Sequence, residues 1–164
     1  MKADVQKEHL WLQRLEGDWT FEAECVMGPD QPPAKSRGIY TARSLGGLWT
    51  LLEGEGESPD GSLVKSIITL GYDPAKQRFV GSFIASCMTH LWPYEGTLDA
   101  TGKVLTLDSE GPSFSGDGSL AKYQDIVEIV DDDHWILRSR APGEDGKWIE
   151  FMTAHYSRKR RQAA

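Results

Sequence analysis

Cysteine is scarce in this chain. Cys25 and Cys87 are its only two, far apart and with no metal-ligand spacing. That excludes a small disulfide scaffold and a thiolate zinc site. Long apolar runs are missing as well. No window approaches the 18 apolar residues of a membrane-spanning helix. The segment Met1 to Glu8 has no apolar centre, so no secretory leader is expected and the expected setting is the cytoplasm. Catalytic signatures are absent too. There is no His-Glu-x-x-His and no Gly-x-Ser-x-Gly, and Gly111-Pro112-Ser113-Phe114-Ser115 fails at its last place. Asp131–Asp133 lacks the spaced oxygens of a calcium loop. No metal and no cofactor is expected.

Positive charge is short and unevenly placed. The 18 bases face 25 acids, for a net charge of −7. Four of those bases, Arg158 to Arg161, sit together near the end, leaving 14 for the rest of the chain. Such an acidic body repels nucleic acid and anionic membranes. The basic run over 158–164 is expected to be a solvated tail.

What remains is an ordinary globular composition of 164 residues, enough for one domain spanning 1–164. Within residues 1–17 a short amphipathic helix is expected. Asp4 can cap it, Val5, His9, Leu12 and Leu15 share a face, and Gly17 stops it. The period then changes from 3.6 to 2. Trp19, Phe21, Ala23 and Cys25 alternate with Thr20, Glu22, Glu24 and Val26. In the next run Lys35, Arg37, Thr41 and Arg43 oppose Gly38, Tyr40 and Ala42, and the cations can face Glu22 and Glu24 across the pair. About ten strand-like runs follow one another with short polar turns such as Ser58-Pro59-Asp60-Gly61 and Asp99-Ala100-Thr101-Gly102. No connection is long enough for a parallel crossover, so the sheet must be antiparallel throughout. Closure removes the two long edges that ten open strands would expose.

Two kinds of residue string carry a resemblance. Gly17-Asp18-Trp19, just after the helix, resembles the Gly-x-Trp of lipocalin-type barrels, where the Trp packs across the floor under the helix. Arg43-Ser44-Leu45-Gly46-Gly47-Leu48-Trp49, Thr69-Leu70-Gly71-Tyr72-Asp73-Pro74, Tyr94-Glu95-Gly96-Thr97-Leu98-Asp99 and Phe151-Met152-Thr153-Ala154-His155-Tyr156 are similar to the domain-of-unknown-function family 1579. The resemblance implies an all-β, antiparallel, up-and-down lipocalin-like barrel with the helix capping one end. It implies no established activity.

A barrel of this size is expected to enclose a cavity unless large side chains fill it. His90, Trp92, Tyr94 and Leu98 share a period-2 face and are read as inward. Tyr40, Phe83 and Trp49 join them as candidate lining. Glu53 is in phase with Trp49 and Leu51; inward it is a buried carboxylate, outward an ordinary surface acid. His155, in phase with Phe151 and Thr153, is a further candidate, and a haem-binding barrel would need one such histidine. A Cys87–His90 pair needs a kink between them. The leading expectation is a small hydrophobic or aromatic ligand held inside the barrel. An enzyme using His90, Glu53 or His155 as acid or base is the alternative, with haem binding or a protein-interaction role behind it. Apolar residues on both faces of Arg78–Met88 and Leu120–Val130 point to a covered outer wall and a homodimer.

Overall fold

The computed structural model describes residues 2–26 and 28–160. One helix, α1 (Lys7–Gln13), precedes ten strands: β1 (Gly17–Cys25), β2 (Ala34–Leu45), β3 (Trp49–Glu57), β4 (Leu63–Asp73), β5 (Arg78–Ala85), β6 (Trp92–Leu98), β7 (Val104–Pro112), β8 (Leu120–Asp131), β9 (His134–Pro142) and β10 (Trp148–Arg158). Each strand pairs antiparallel with its neighbour in sequence, and β1 pairs with β10 to close the barrel. The up-and-down order follows from the short turns, which let each strand fold back on the last. Register shifts occur between Glu150 and Met152 and between Ile129 and Asp131.

Alternation decides which side chains face in. On the first two strands Trp19 and Tyr40 point to the core, while Glu24 and Lys35 meet outside at 3.4 Å. The predicted charge pairing across β1 and β2 is present, although so exposed a pair contributes under about 1 kcal/mol. Gly54 on β3 shows why a glycine interrupts the Glu-Gly-Glu-Gly-Glu string. A Cβ there would stand 2.2 Å from the Tyr40 ring, so the bare backbone is the seat for that ring. The pairing of β2 with β3 runs through this segment without a bulge.

The helix starts later than the Asp4 cap predicts. Gln6 is the N-cap, and its backbone N–H donates to His9 Nδ1 at 2.9 Å. Val5 is exposed, whereas Trp11, Leu12 and Leu15 are buried. The Trp11 Nε1–H donates to the Gly102 carbonyl at 2.7 Å, tying the helix to the β6–β7 turn. Beneath it Trp19 and Trp135 meet edge to face at 6.1 Å, each 1% exposed, and Trp19 Nε1–H donates to the Leu15 carbonyl at 2.8 Å. This is the floor that the Gly-x-Trp resemblance implies.

Arg158 corrects the reading of 158–164 as a solvated tail. It is the last residue of β10, and its guanidinium lies 4.2 Å from the centre of the Trp19 ring. Its Nη1 donates to the Glu16 carbonyl at 2.7 Å and its Nε to the Asp132 carbonyl at 2.8 Å. The cation thus occupies carbonyls at the helix exit and caps the floor from outside. Residues 161–164 of the expected tail lie outside the described residues.

Candidate functional site

The interior is layered from the helix end to the open end. Above the tryptophan floor comes an aliphatic layer that includes Leu52, Leu70, Leu107, Val127 and Leu137, all buried. It leaves a void of only about 10 Å³, no more than a single water needs. The next layer is polar. Tyr94 donates a short hydrogen bond to Asp125, and Ser139 Oγ donates to the other carboxylate oxygen at 2.5 Å. Tyr40 and Ser66 share a hydroxyl–hydroxyl bond of 2.5 Å, and the Tyr156 hydroxyl adjoins that of Tyr40. Tyr156 is also stacked on Trp135, 3.7 Å apart and nearly parallel, so its ring is fixed by the floor below.

Burial sets the protonation of this layer. Desolvation raises the Asp125 carboxyl above its ordinary value, and the bonds from Ser139 and Tyr94 offset only part of that. The residue as a whole is half-buried, but its carboxyl is enclosed, and enclosure governs its ionisation. Burial first, and the charge of Asp125 second, hold the Tyr94 hydroxyl well above its usual range. Burial and the neighbouring Tyr40 and Asp125 do the same to Tyr156. These phenols therefore remain O–H donors at neutral pH. Ser109, paired with Tyr123 on the next strand, has a buried Oγ with no hydrogen-bond partner.

Above the polar layer the barrel opens. A cavity of about 250 Å³ is lined by Phe21, Tyr40, Val64, Ser66, Phe83 and Met88, among others. Its volume is slightly below the usual range for small-molecule sites, about 300–1,000 Å³. The other side of the mouth is closed by rings. Trp92 meets Tyr123 at 5.1 Å, and Phe114 from the β7–β8 loop meets both Tyr123 and Phe151. A wider hollow of about 640 Å³ lies on the outer wall beside Glu22, Arg37, Glu55 and His155. Solvated charged side chains border it, so it desolvates a ligand poorly.

The predicted site residues divide. Tyr40, Tyr94 and Phe83 point into the barrel, and Tyr40 and Phe83 line the cavity. Trp92 joins the ring cluster at the mouth. His90 does not face inward. It precedes β6, and its Nε2–H donates to the Glu110 carbonyl at 3.0 Å while its ring rests edge-on against Trp92. Trp49 and Glu53 are on the outer wall, because β3 turns Thr50, Leu52 and Gly54 to the core; Arg43 pairs with Glu53 at 3.3 Å. His155 is also outward, between the buried Ala154 and Tyr156, with its Nδ1 3.0 Å from His134 Nε2. The histidine that a haem-binding barrel would need is therefore not inside: among the described residues no histidine points into the cavity. The Cys87–His90 pair gains no support either, since both residues lie in the connection after Ala85 and His90 is engaged with Glu110.

Asp125, Ser139, Tyr156 and Ser66 are among the interior polar residues that sequence reasoning misses, with Thr50 and Ser109. A signal for Asp125 exists: it falls in phase with Tyr123, Val127 and Ile129, an acid in the middle of an apolar face. Ile126 and Val130 on the opposite face mask that alternation. Those outward residues are real, as are Ile67 and Ile84, which pair across β4 and β5 and are both exposed.

Fold and site together define a closed ten-stranded antiparallel barrel, filled at one end and hollow at the other. The chain belongs to the family described as "Protein of unknown function (DUF1579)", which matches residues 4–158. Among solved structures it is similar to Rv2717c from M. tuberculosis, at 15% identity and a TM-score of 0.67, covering 96% of this chain and 100% of that one. A de novo designed fluorescence-activating β-barrel is similar at 15% identity and a TM-score of 0.50, covering 90% and 96%. The barrel EF1p2_mFAP2b bound to DFHBI is similar at 13% identity and a TM-score of 0.50, covering 92% and 98%. Identities this low establish shared fold alone. No curated protein matches the chain. Among the described residues no helix is long and apolar enough to cross a membrane.

Proposed function

We propose that the protein binds a small, largely apolar molecule in the open half of the barrel. The observation that carries this reading is the uneven filling of one continuous interior. Side chains close the helix half down to a 10 Å³ void, while the other half keeps about 250 Å³ between aromatic walls. A layer of hydroxyls at the base of that space supplies the few convergent polar groups that orient ligands in such sites. The similar barrel bound to DFHBI supports the capacity of the architecture. A cytoplasmic setting and a homodimer remain part of the proposal, the latter suggested by the adjacent exposed Ile67 and Ile84.

Titration with the uncharged solvatochromic dye Nile red tests the reading. Saturable fluorescence is expected with the native chain. Val64→Trp, which fills the mouth, should weaken it at least about tenfold while the far-ultraviolet β signal persists. No saturable signal, or equal binding by the filled variant, removes the cavity as the site. A single species near 18.3 kDa on sedimentation of the same micromolar sample removes the homodimer.

A further inference from the structure

Resting on that ligand-binding reading, we propose that the cavity selects uncharged molecules bearing a hydrogen-bond-accepting oxygen and rejects organic anions. The argument begins with where the cations are. Strand alternation sends them to the outer wall, where acids engage them: Arg43 with Glu53 at 3.3 Å, Lys65 with Glu55 at 3.5 Å, and Arg138 with Glu128 and Glu150. Among the described residues no lysine, arginine or histidine lines the cavity. The interior acid in the polar layer is Asp125, held by the hydroxyls of Tyr94 and Ser139 and by no cation. Glu55 and Glu57 stand at the cavity mouth, the first engaged by Lys65 and the second opposite Arg37, and the whole chain carries −7. An entering carboxylate would thus lose its hydration and find no counter-charge inside, in a molecule of net negative charge.

The hydroxyls favour a neutral acceptor instead. Ser66, Tyr40 and Tyr156 form a row with two contacts between three O–H groups. Tyr156 donates to Tyr40, a contact that helps hold the Tyr156 proton in place, so two protons are used and the one left to donate rests on Tyr40 or Ser66. Ser66 and Tyr40 both line the cavity, so an occupant can receive that proton. The walls beside it, Phe21 and Phe83, suit a flat ring. A phenol, ketone or ester oxygen on an aromatic body meets each of these demands. A carboxylate on the same body fails the first.

The test compares 2-naphthol with 2-naphthoate, which share one ring system, by calorimetry on the full chain near neutral pH and by displacement of Nile red. Naphthol should bind the native protein at least about 100-fold more tightly. Val64→Lys places a cation in the mouth and should raise naphthoate affinity at least about tenfold. Glu57→Lys, an exposed rim change that spares the core, should raise it about threefold. Naphthoate binding as tightly as naphthol to the native chain overturns the charge selection and leaves ligand binding standing. Nile red binding that naphthol cannot displace overturns the proposed ligand class. An unchanged naphthol-to-naphthoate ratio in both folded lysine variants also overturns the proposal. Failure of Nile red and both naphthyl compounds alike overturns the ligand-binding reading itself.

Discussion

Trp19 and Trp92 occupy the same kind of position at opposite ends of one barrel, and their surroundings differ. Trp19 is 1% exposed, donates to Leu15, packs on Trp135 and is covered outside by Arg158. Trp92 is half-buried, rests on Gly111, where a Cβ would stand 2.2 Å from its ring, and bonds to Met88 Sδ. The helix end spends its aromatic bulk on packing. The open end arranges its rings around a space it does not fill. The difference teaches that closure of the sheet fixes an interior volume, while side-chain placement decides which part of it becomes core and which part becomes site.

The largest expected effect tests that division directly. Trp19→Ala should cost about 3–5 kcal/mol, the range for deleting a fully enclosed aromatic. Trp92→Ala should cost less than half as much, because its site is already half open. Chemical denaturation of the two variants measures both. Equal losses would erase the distinction between a structural end and an open end.

A smaller effect is expected at the outer cover of the floor. Arg158→Met keeps much of the apolar stem over Trp19 but removes the bonds to Glu16 and Asp132 and the charge over the ring. A loss of about 1–3 kcal/mol is expected. Arg158→Lys should recover less than half of it, since an ammonium cannot serve both carbonyls through a planar fork. Full recovery by lysine would reduce the role of Arg158 to charge alone.

The ease of reading each end from the sequence follows the same division. The strands, their order and the helix over the floor were legible because period-2 alternation, turn residues and the Gly-x-Trp string all report local geometry. The face of each strand was legible where one side is polar, as for Tyr40 on β2. It misleads for Trp49 and stays open for Glu53, where Leu51 and Leu52 make β3 apolar on both sides and alternation no longer chooses. His90 was misread because β6 begins only at Trp92, and a period carried past a strand end has no meaning. The polar layer was hidden for a different reason. Tyr94, Asp125 and Ser139 come from three strands, and only barrel register brings them together. Arg158 reads as tail because a run of bases outweighs, in a linear reading, the one member that completes β10.

Asp125 gives the mildest of the expected effects and the one most specific to the polar layer. Its carboxyl is raised in the fold because burial disfavours the ionised form. The unfolded chain therefore loses this proton at lower pH than the native chain does. Between those two values the native state binds more protons, so this group makes stability fall as pH rises. A carboxamide in its place cannot titrate. Asp125→Asn carries a fixed cost from the mismatched bond with Tyr94, but it should gain on the native chain as pH rises from about 4, the value of the unfolded carboxyl, through the raised value of the folded one. Exposed acids held down by turn hydroxyls, such as Asp99 and Asp117, act in the opposite sense in both proteins and cancel in the difference. Denaturation of the pair at several pH values reads that difference. A flat difference would mean that Asp125 is as well solvated as a surface acid, and that the layer above the floor is open to water rather than enclosed.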